Sequence, residues 1–475
     1  MLKAGNWLRR ASLWTGIIGI AGASFSGCGG GGGAVVPPPP AGRAACATNA
    51  HQAGRAKWTV LIYMNAANDL QPYSLLNMGQ IASVGSDANV NIVVQWKQAA
   101  AGTCSDPGCG NASFVGTRRY FIKQHNATDV QAIENGNTTV LDPDRLADPS
   151  TNGKSYNPND AGLPADQSDM GAYQVLSDFV HWGVSNYPAD NVMLLIWDHG
   201  SGWRPAYRSA YRHITSPKAN AVSQDNETNW EIETWELPLA LQNLAQPLDM
   251  IVFDASLEGM VEVAYELRNS ARVMVGSEES PPGPGYPYDK WLTDLKADAA
   301  NPCAVGTSIV KEFVNNPPYS SATDITQSVI DLSKMQAVGQ AMETFGKALT
   351  LHNSVEATLY GAARDNAQAY DYHDNKDLYN YISLILNGVG TGGGSVPGTA
   401  FSDVKQAGVN LQAALTGQTG AVITAAHGST GQANSNGLAV YVPQPGNYLT
   451  SYGQLALSQP GNAPDWAGFL QQQTK

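Results

Sequence analysis

The sequence predicts an α/β fold with a mostly parallel sheet covered by helices on both faces, and three observations carry this expectation. Short apolar runs rich in branched residues recur along the chain without polar alternation, as strands buried on both faces do. Stretches of helical periodicity separate them, the pattern of strand, helix and parallel strand. The chain has 475 residues, 43% of them hydrophobic and 14% charged, ample apolar material for a large core.

In chain order the strand candidates are WTVLIYM at 58–64, VNIVVQW at 90–96, RRYFIK at 118–123, VMLLIW at 192–197, MIVFD at 250–254 and RVMVG at 272–276. Helical spacing marks 170–188, WELPLALQNLAQ at 235–246 and MVEVAYELRNSA at 260–271. Beyond about residue 320 the pattern continues, with DITQSVIDL and later GAVITAA and NGLAVYVP as strands and SKMQAVGQAMETFGKAL as a helix. Two long polar connections, 142–169 and 204–233, exceed ordinary loop lengths and read as functional or cleavable segments.

The first 27 residues read as a targeting segment, with Lys3, Arg9 and Arg10 ahead of an apolar stretch. FSGC then resembles a bacterial lipobox and makes Cys28 the expected lipidated residue, the sole membrane attachment of an exported protein. Residues 28–56, with a glycine run and four prolines, read as a tether. The folded body is expected as a core over 57–320 completed by 321–475. Of the remaining cysteines, Cys104 and Cys109 in CSDPGC are close enough to bridge, and Cys46 and Cys303 are compatible with a second pair that sequence does not decide. No cysteine or histidine cluster has metal-ligand spacing. A net charge of -13 excludes nucleic acid as the main partner and favours cationic ligands.

The working groups of open α/β sheets gather beyond the carboxyl ends of the strands. There LLIWDHGSGW delivers His199 and IVFDASLEG delivers Ser256. On neighbouring strands they would place a base opposite a hydroxyl, the arrangement of acyl transfer. His427, in AAHGST, lacks the flanking Asp and Trp and is not taken as a base. Trp197 and Trp203 read as packing around the crevice.

WDHGSGW, together with FDASLEGMVEVAYELRNSARVMVGSEESPPGPGYPYDKWL and WTVLIYMNAANDL, resembles the clostripain family of cysteine peptidases. The resemblance implies a caspase-like fold, a His–Cys dyad and cleavage after Arg or Lys. It makes His199 the catalytic histidine, Gly200 part of the oxyanion region, and Asp254 the acid at the floor of a pocket for basic side chains. Ser256 stands where the family has its nucleophilic cysteine. A hydroxyl ionises far less readily than a thiol and needs an oriented base, so a third group is required. Asp198 is expected to point away from the imidazole, and nothing in the sequence directs Glu258, Glu278 or Glu279 toward it. The expectation is therefore a homologue that binds Arg/Lys peptides with weak or absent hydrolysis, the alternative being an active endopeptidase with Ser256 as nucleophile and His199 as base. Family resemblance alone raises calcium as a cofactor, and it implies processing between His and nucleophile, where Arg208, Arg212 and Lys218 are the candidates.

Overall fold

The computed structural model describes residues 44–100, 113–146, 150–151, 154–155, 169–204, 222–297, 301–316, 324–391, 394–428 and 430–473. Eight strands form the central sheet: β1 (Ala56–Ala66), β2 (Val90–Gln98), β3 (Gly116–Phe121), β4 (Ala189–Trp197), β5 (Met250–Asp254), β6 (Val273–Gly276), β7 (Thr326–Asp331) and β8 (Val422–His427). Their order is β8-β7-β6-β5-β4-β1-β2-β3. From β6 through β5, β4 and β1 to β2 every pairing is parallel, while β3, β7 and β8 add on antiparallel. The parallel centre is where the apolar runs were longest, as burial on both faces requires.

Alternate residues of each central strand enter different cores. Leu61, Tyr63, Leu194, Ile196, Ile251 and Phe253 pack with the helices Tyr173–Asn186, Val261–Glu266 and Met335–Asn366. Val60, Ile62, Met193, Leu195, Met250 and Val252 pack with Gln71–Val84, Tyr288–Ala297 and Pro302–Asn315 on the other face. Helices therefore cover both faces. The residues beyond 320 supply β7 and β8 to this same sheet, and the stretch read as NGLAVYVP departs from it: Ala439–Tyr441 pairs with Asn375–Asp377 instead.

Two expectations are corrected. The periodic stretch 235–246 is helical only at Leu237–Ala240, following a 3-10 turn at Thr234–Glu236, and Asn243 breaks away with φ 56°. The end of the stretch read as tether is part of the body. Residues 44–56 are fastened by the Cys46–Cys303 disulfide and by Arg272, whose guanidinium donates to the carbonyls of Ala44 and Ala47. Asn49 Nδ2 donates to the Asp190 carbonyl at 2.8 Å, and the Gln52 N–H to Asp190 Oδ1 at 2.9 Å. Asp190 lies at the beginning of β4, so this strap is bound at the amino ends of the parallel strands, the pole away from the carboxyl ends. Composition misled here because a few polar contacts and one disulfide, not a hydrophobic run, do the fastening.

Candidate active site

β4 and β5 are adjacent and parallel, and Trp197 is the register partner of Asp254. His199 and Ser256 each follow that pair by two residues, so the two side chains leave neighbouring strands at the same level. The loops touch: a Cβ added to Gly200 would lie 2.7 Å from the Ser256 carbonyl oxygen and 2.6 Å from Glu258 Oε1. Only glycine permits that approach. Directly after Ser256, the buried Leu257 takes a left-handed φ of 65°, a strain of about 1–2 kcal/mol for a residue with a Cβ. Ser256 thus sits on a forced turn held by core packing of the next side chain.

The group missing from the sequence reading comes from β1, the other neighbour of β4. In the loop NAANDL, Asn68 donates from Nδ2 to Asp198 Oδ1 at 2.6 Å and to the Gln224 carbonyl at 2.9 Å, and its Oδ1 accepts the Leu70 N–H. The anchored loop presents Asp69, whose Oδ1 stands 2.6 Å from His199 Nε2. The hydrogen bond with the imidazole holds the Asp69 carboxyl below the usual carboxylate range. An ionised carboxylate only accepts, so it selects the Nε2–H tautomer of neutral His199 and leaves Nδ1 able to take a proton. No hydrogen bond joins the Ser256 hydroxyl to the ring in this structure.

The other acids weighed for this role are engaged elsewhere. Asp198 is buried and accepts the His199 N–H at 2.6 Å as well as Asn68. Glu278 accepts the Gly437 N–H, and Glu279 accepts from Ser280, Asp371 and Gln432. Glu258 accepts the Gly202 N–H at 3.2 Å. Trp197 donates to Asn77 Oδ1, and Trp203 lies edge-on to Tyr441 and Tyr452, so both pack rather than line a ligand surface. His427 ends β8, three strands from β5.

Asp254 is only 5% exposed. Its Oδ2 accepts the Tyr288 O–H at 2.8 Å and the Tyr286 N–H at 3.2 Å. The turn at Gly285, with φ 63°, passes so close that a Cβ there would meet that oxygen at 2.5 Å. Burial lifts the carboxyl to a pKa of about 6, against the pull of Tyr288 and the Tyr286 amide. Oδ1 has no hydrogen bond within the described residues. One oxygen of this carboxylate is thus fixed by the Tyr288 hydroxyl and the Tyr286 amide, residues that sequence reading did not single out.

Cys28, Cys104, Cys109, Arg208, Arg212 and Lys218 lie outside the described residues. Arg204, at the start of that interval, is held by Asp374 at 3.3 Å and over the Tyr372 ring. Among the described residues no group of three or more His, Cys, Asp or Glu is placed to hold a metal ion, and no helix there is long and apolar enough to cross a membrane.

A profile of the clostripain family matches residues 62–389. Clostripain of Hathewaya histolytica is 24% identical over an alignment of 330 positions that covers 62% of this chain and 57% of that protein, so the chain spans a little over half the length of this relative. Two solved structures share the fold. A secreted C11 cysteine protease of Bacteroides thetaiotaomicron bound to an irreversible peptide inhibitor is 18% identical with a TM-score of 0.54, the match covering 88% of this chain and 99% of that one. An inactive zymogen C11 protease of Parabacteroides distasonis is 19% identical with a TM-score of 0.54, covering 86% and 98%.

Proposed function

Because the chain belongs to the clostripain family of peptidases, we propose that it hydrolyses peptide bonds after Arg or Lys with a serine in place of the family's cysteine. The observation that carries this reading is the 2.6 Å contact between Asp69 and His199. It supplies the group that a hydroxyl nucleophile needs and a thiol does not.

In this mechanism the Ser256 Oγ attacks the scissile carbonyl as its proton passes to His199 Nδ1. The imidazolium so formed is stabilised through Nε2–H by the Asp69 carboxylate. The proton then goes to the departing amine as the C–N bond breaks, leaving the acyl group on Oγ. A water, deprotonated by His199, releases the acid and restores the hydroxyl. The Gly200 N–H belongs to the oxyanion region, and Asp254 Oδ1 receives the basic side chain at the pocket floor.

A second reading has one observation in its favour. The absence of a hydrogen bond between Ser256 and His199 suits a homologue that binds basic peptides without turning them over. Hydrolysis of Arg and Lys peptide amides by the purified protein, abolished in Ser256→Ala, establishes the first reading. Binding without turnover, together with turnover gained in Ser256→Cys, establishes the second.

The targeting segment and Cys28 support export and attachment through a lipid. Cys28→Ala then releases the protein from the membrane fraction, and an unchanged distribution removes the anchor. Cleavage at Arg208, Arg212 or Lys218 would need the same nucleophile as substrate cleavage. Appearance of two fragments in the purified protein, absent in Ser256→Ala, tests for it.

A further inference from the structure

Between the loop that carries His199 and the turn that carries Ser256 stands a carboxyl for which the proposed mechanism has no use. Glu258 is 1% exposed. It follows the nucleophile by two residues across the forced turn at Leu257, yet its side chain engages the opposite loop. Oε1 accepts the Gly202 N–H at 3.2 Å, and the Ser201 N–H is directed at the same carboxyl. The position a Gly200 Cβ would take lies 2.6 Å from Oε1. Three successive residues after His199 are thus gathered around one acid rooted in the other loop.

Core filling does not account for this. An apolar side chain of equal volume would leave two N–H groups buried with no acceptor, and the loop would have to shift to satisfy them. That loop begins at His199, so any shift moves the imidazole relative to the hydroxyl. We infer that Glu258 is a positioning residue that clasps the Ser201–Gly202 main chain to the Ser256 turn and thereby sets the distance between base and nucleophile. The inference rests on the reading of His199 and Ser256 as that pair.

The clasp works through acceptance of hydrogen bonds and needs no charge. Burial raises the Glu258 carboxyl to a pKa of about 8, so at neutral pH it is mostly an uncharged acid. Gln keeps the accepting oxygen, and Met keeps the volume without it. This pair of substitutions separates clasping from packing.

The test uses Ser256→Cys in the full chain, because the rate at which iodoacetamide alkylates the introduced thiol reports its activation by His199 without requiring turnover. Adding Glu258→Gln should hold the rate within about twofold, and adding Glu258→Met should lower it about tenfold or more, as small misplacements of reacting groups do. Backbone hydrogen exchange at Ser201 and Gly202 should quicken in the Met variant and not in the Gln variant. Equal alkylation rates in Ser256→Cys with and without Glu258→Met overturn the inference. So does a thiol whose rate is indifferent to His199→Ala, since no base would then be positioned. Failure of the serine mechanism is seen separately, as a wild-type protein that cleaves no peptide while the introduced thiol still responds to Glu258.

Discussion

Replacing Asp69 by Asn removes a charge and little else. The amide oxygen can still accept the Nε2–H of His199, so the ring keeps its tautomer and orientation when the side chain settles that way. What is lost is the stabilisation of the imidazolium during attack. Two unit charges about 4 Å apart interact by about 1 kcal/mol in water and about 4 kcal/mol at the dielectric typical of a protein surface. The Asp69 side chain is 41% exposed and that of His199 28%, so solvent screening places this pair toward the lower figure, about 1–2 kcal/mol. At roughly 1.4 kcal/mol per decade the expected loss is about 5- to 30-fold in kcat. KM should hold, because in the proposed mechanism the imidazolium that Asp69 stabilises forms only during attack. This is far milder than the loss of about 10⁴ seen when the buried acid of a chymotrypsin-type triad is made an amide. The assay is steady-state hydrolysis of a peptidyl-Lys or peptidyl-Arg amide, with the reaction of Ser256 toward a fluorophosphonate as a second measure of nucleophile activation. Asp69→Ala should be worse than Asn, since it also frees the ring to rotate. A kcat within twofold of wild type in both variants, or a loss confined to KM, would refute the role given to Asp69.

Other outcomes follow from the same geometry. Asp254→Asn should cut the preference for Arg or Lys over norleucine about 30-fold, the worth of one charge-assisted hydrogen bond, and an unchanged preference would place the specificity elsewhere. Glu262, buried against the Tyr441 N–H and the Tyr452 O–H, has its pKa raised by burial from 4.5 to about 7. The folded state therefore holds this proton more tightly than the unfolded chain, and the stabilisation present below pH 4.5 is lost as pH rises through about 7. Glu262→Gln should flatten the fall of the thermal midpoint over that window, and an identical pH profile would contradict the assignment. Cys303→Ser should cost about 2–4 kcal/mol in denaturant unfolding and expose residues 44–56 to protease, whereas a strap still protected would show that Arg272 and Asp190 suffice.

The strands were legible because burial on both faces writes them as unbroken apolar runs, and β4 and β5 emerged within a few residues of their true ends. Their neighbours were not legible. That His199 lies beside Asp69 depends on β1 inserting next to β4, a fact of strand order that no local pattern records. Asn68 and Asp69 were in view in NAANDL, but without that order nothing in the sequence joined them to His199. The Tyr288 contact to Asp254 was hidden for a similar reason, since a Pro-Gly-rich loop gives no sign of where it folds back. The failed helix at 235–246 had the right spacing, and the short helix at Leu237–Ala240 is all that formed. The strap at 44–56 lacked any apolar run to announce it.

The shared level of Trp197 and Asp254 has a consequence for how such a site changes over time. The level at which the chain leaves the sheet toward His199 and Ser256 is set by ladder hydrogen bonds between main chains that end at Trp197 and Asp254, and these are indifferent to the atom each side chain presents. The frame works as a socket, and oxygen or sulfur can be seated in it without rebuilding anything. Under the proposed mechanism, seating serine where the family has cysteine asks nothing of that frame and everything of the groups around it, which must suit the atom it holds.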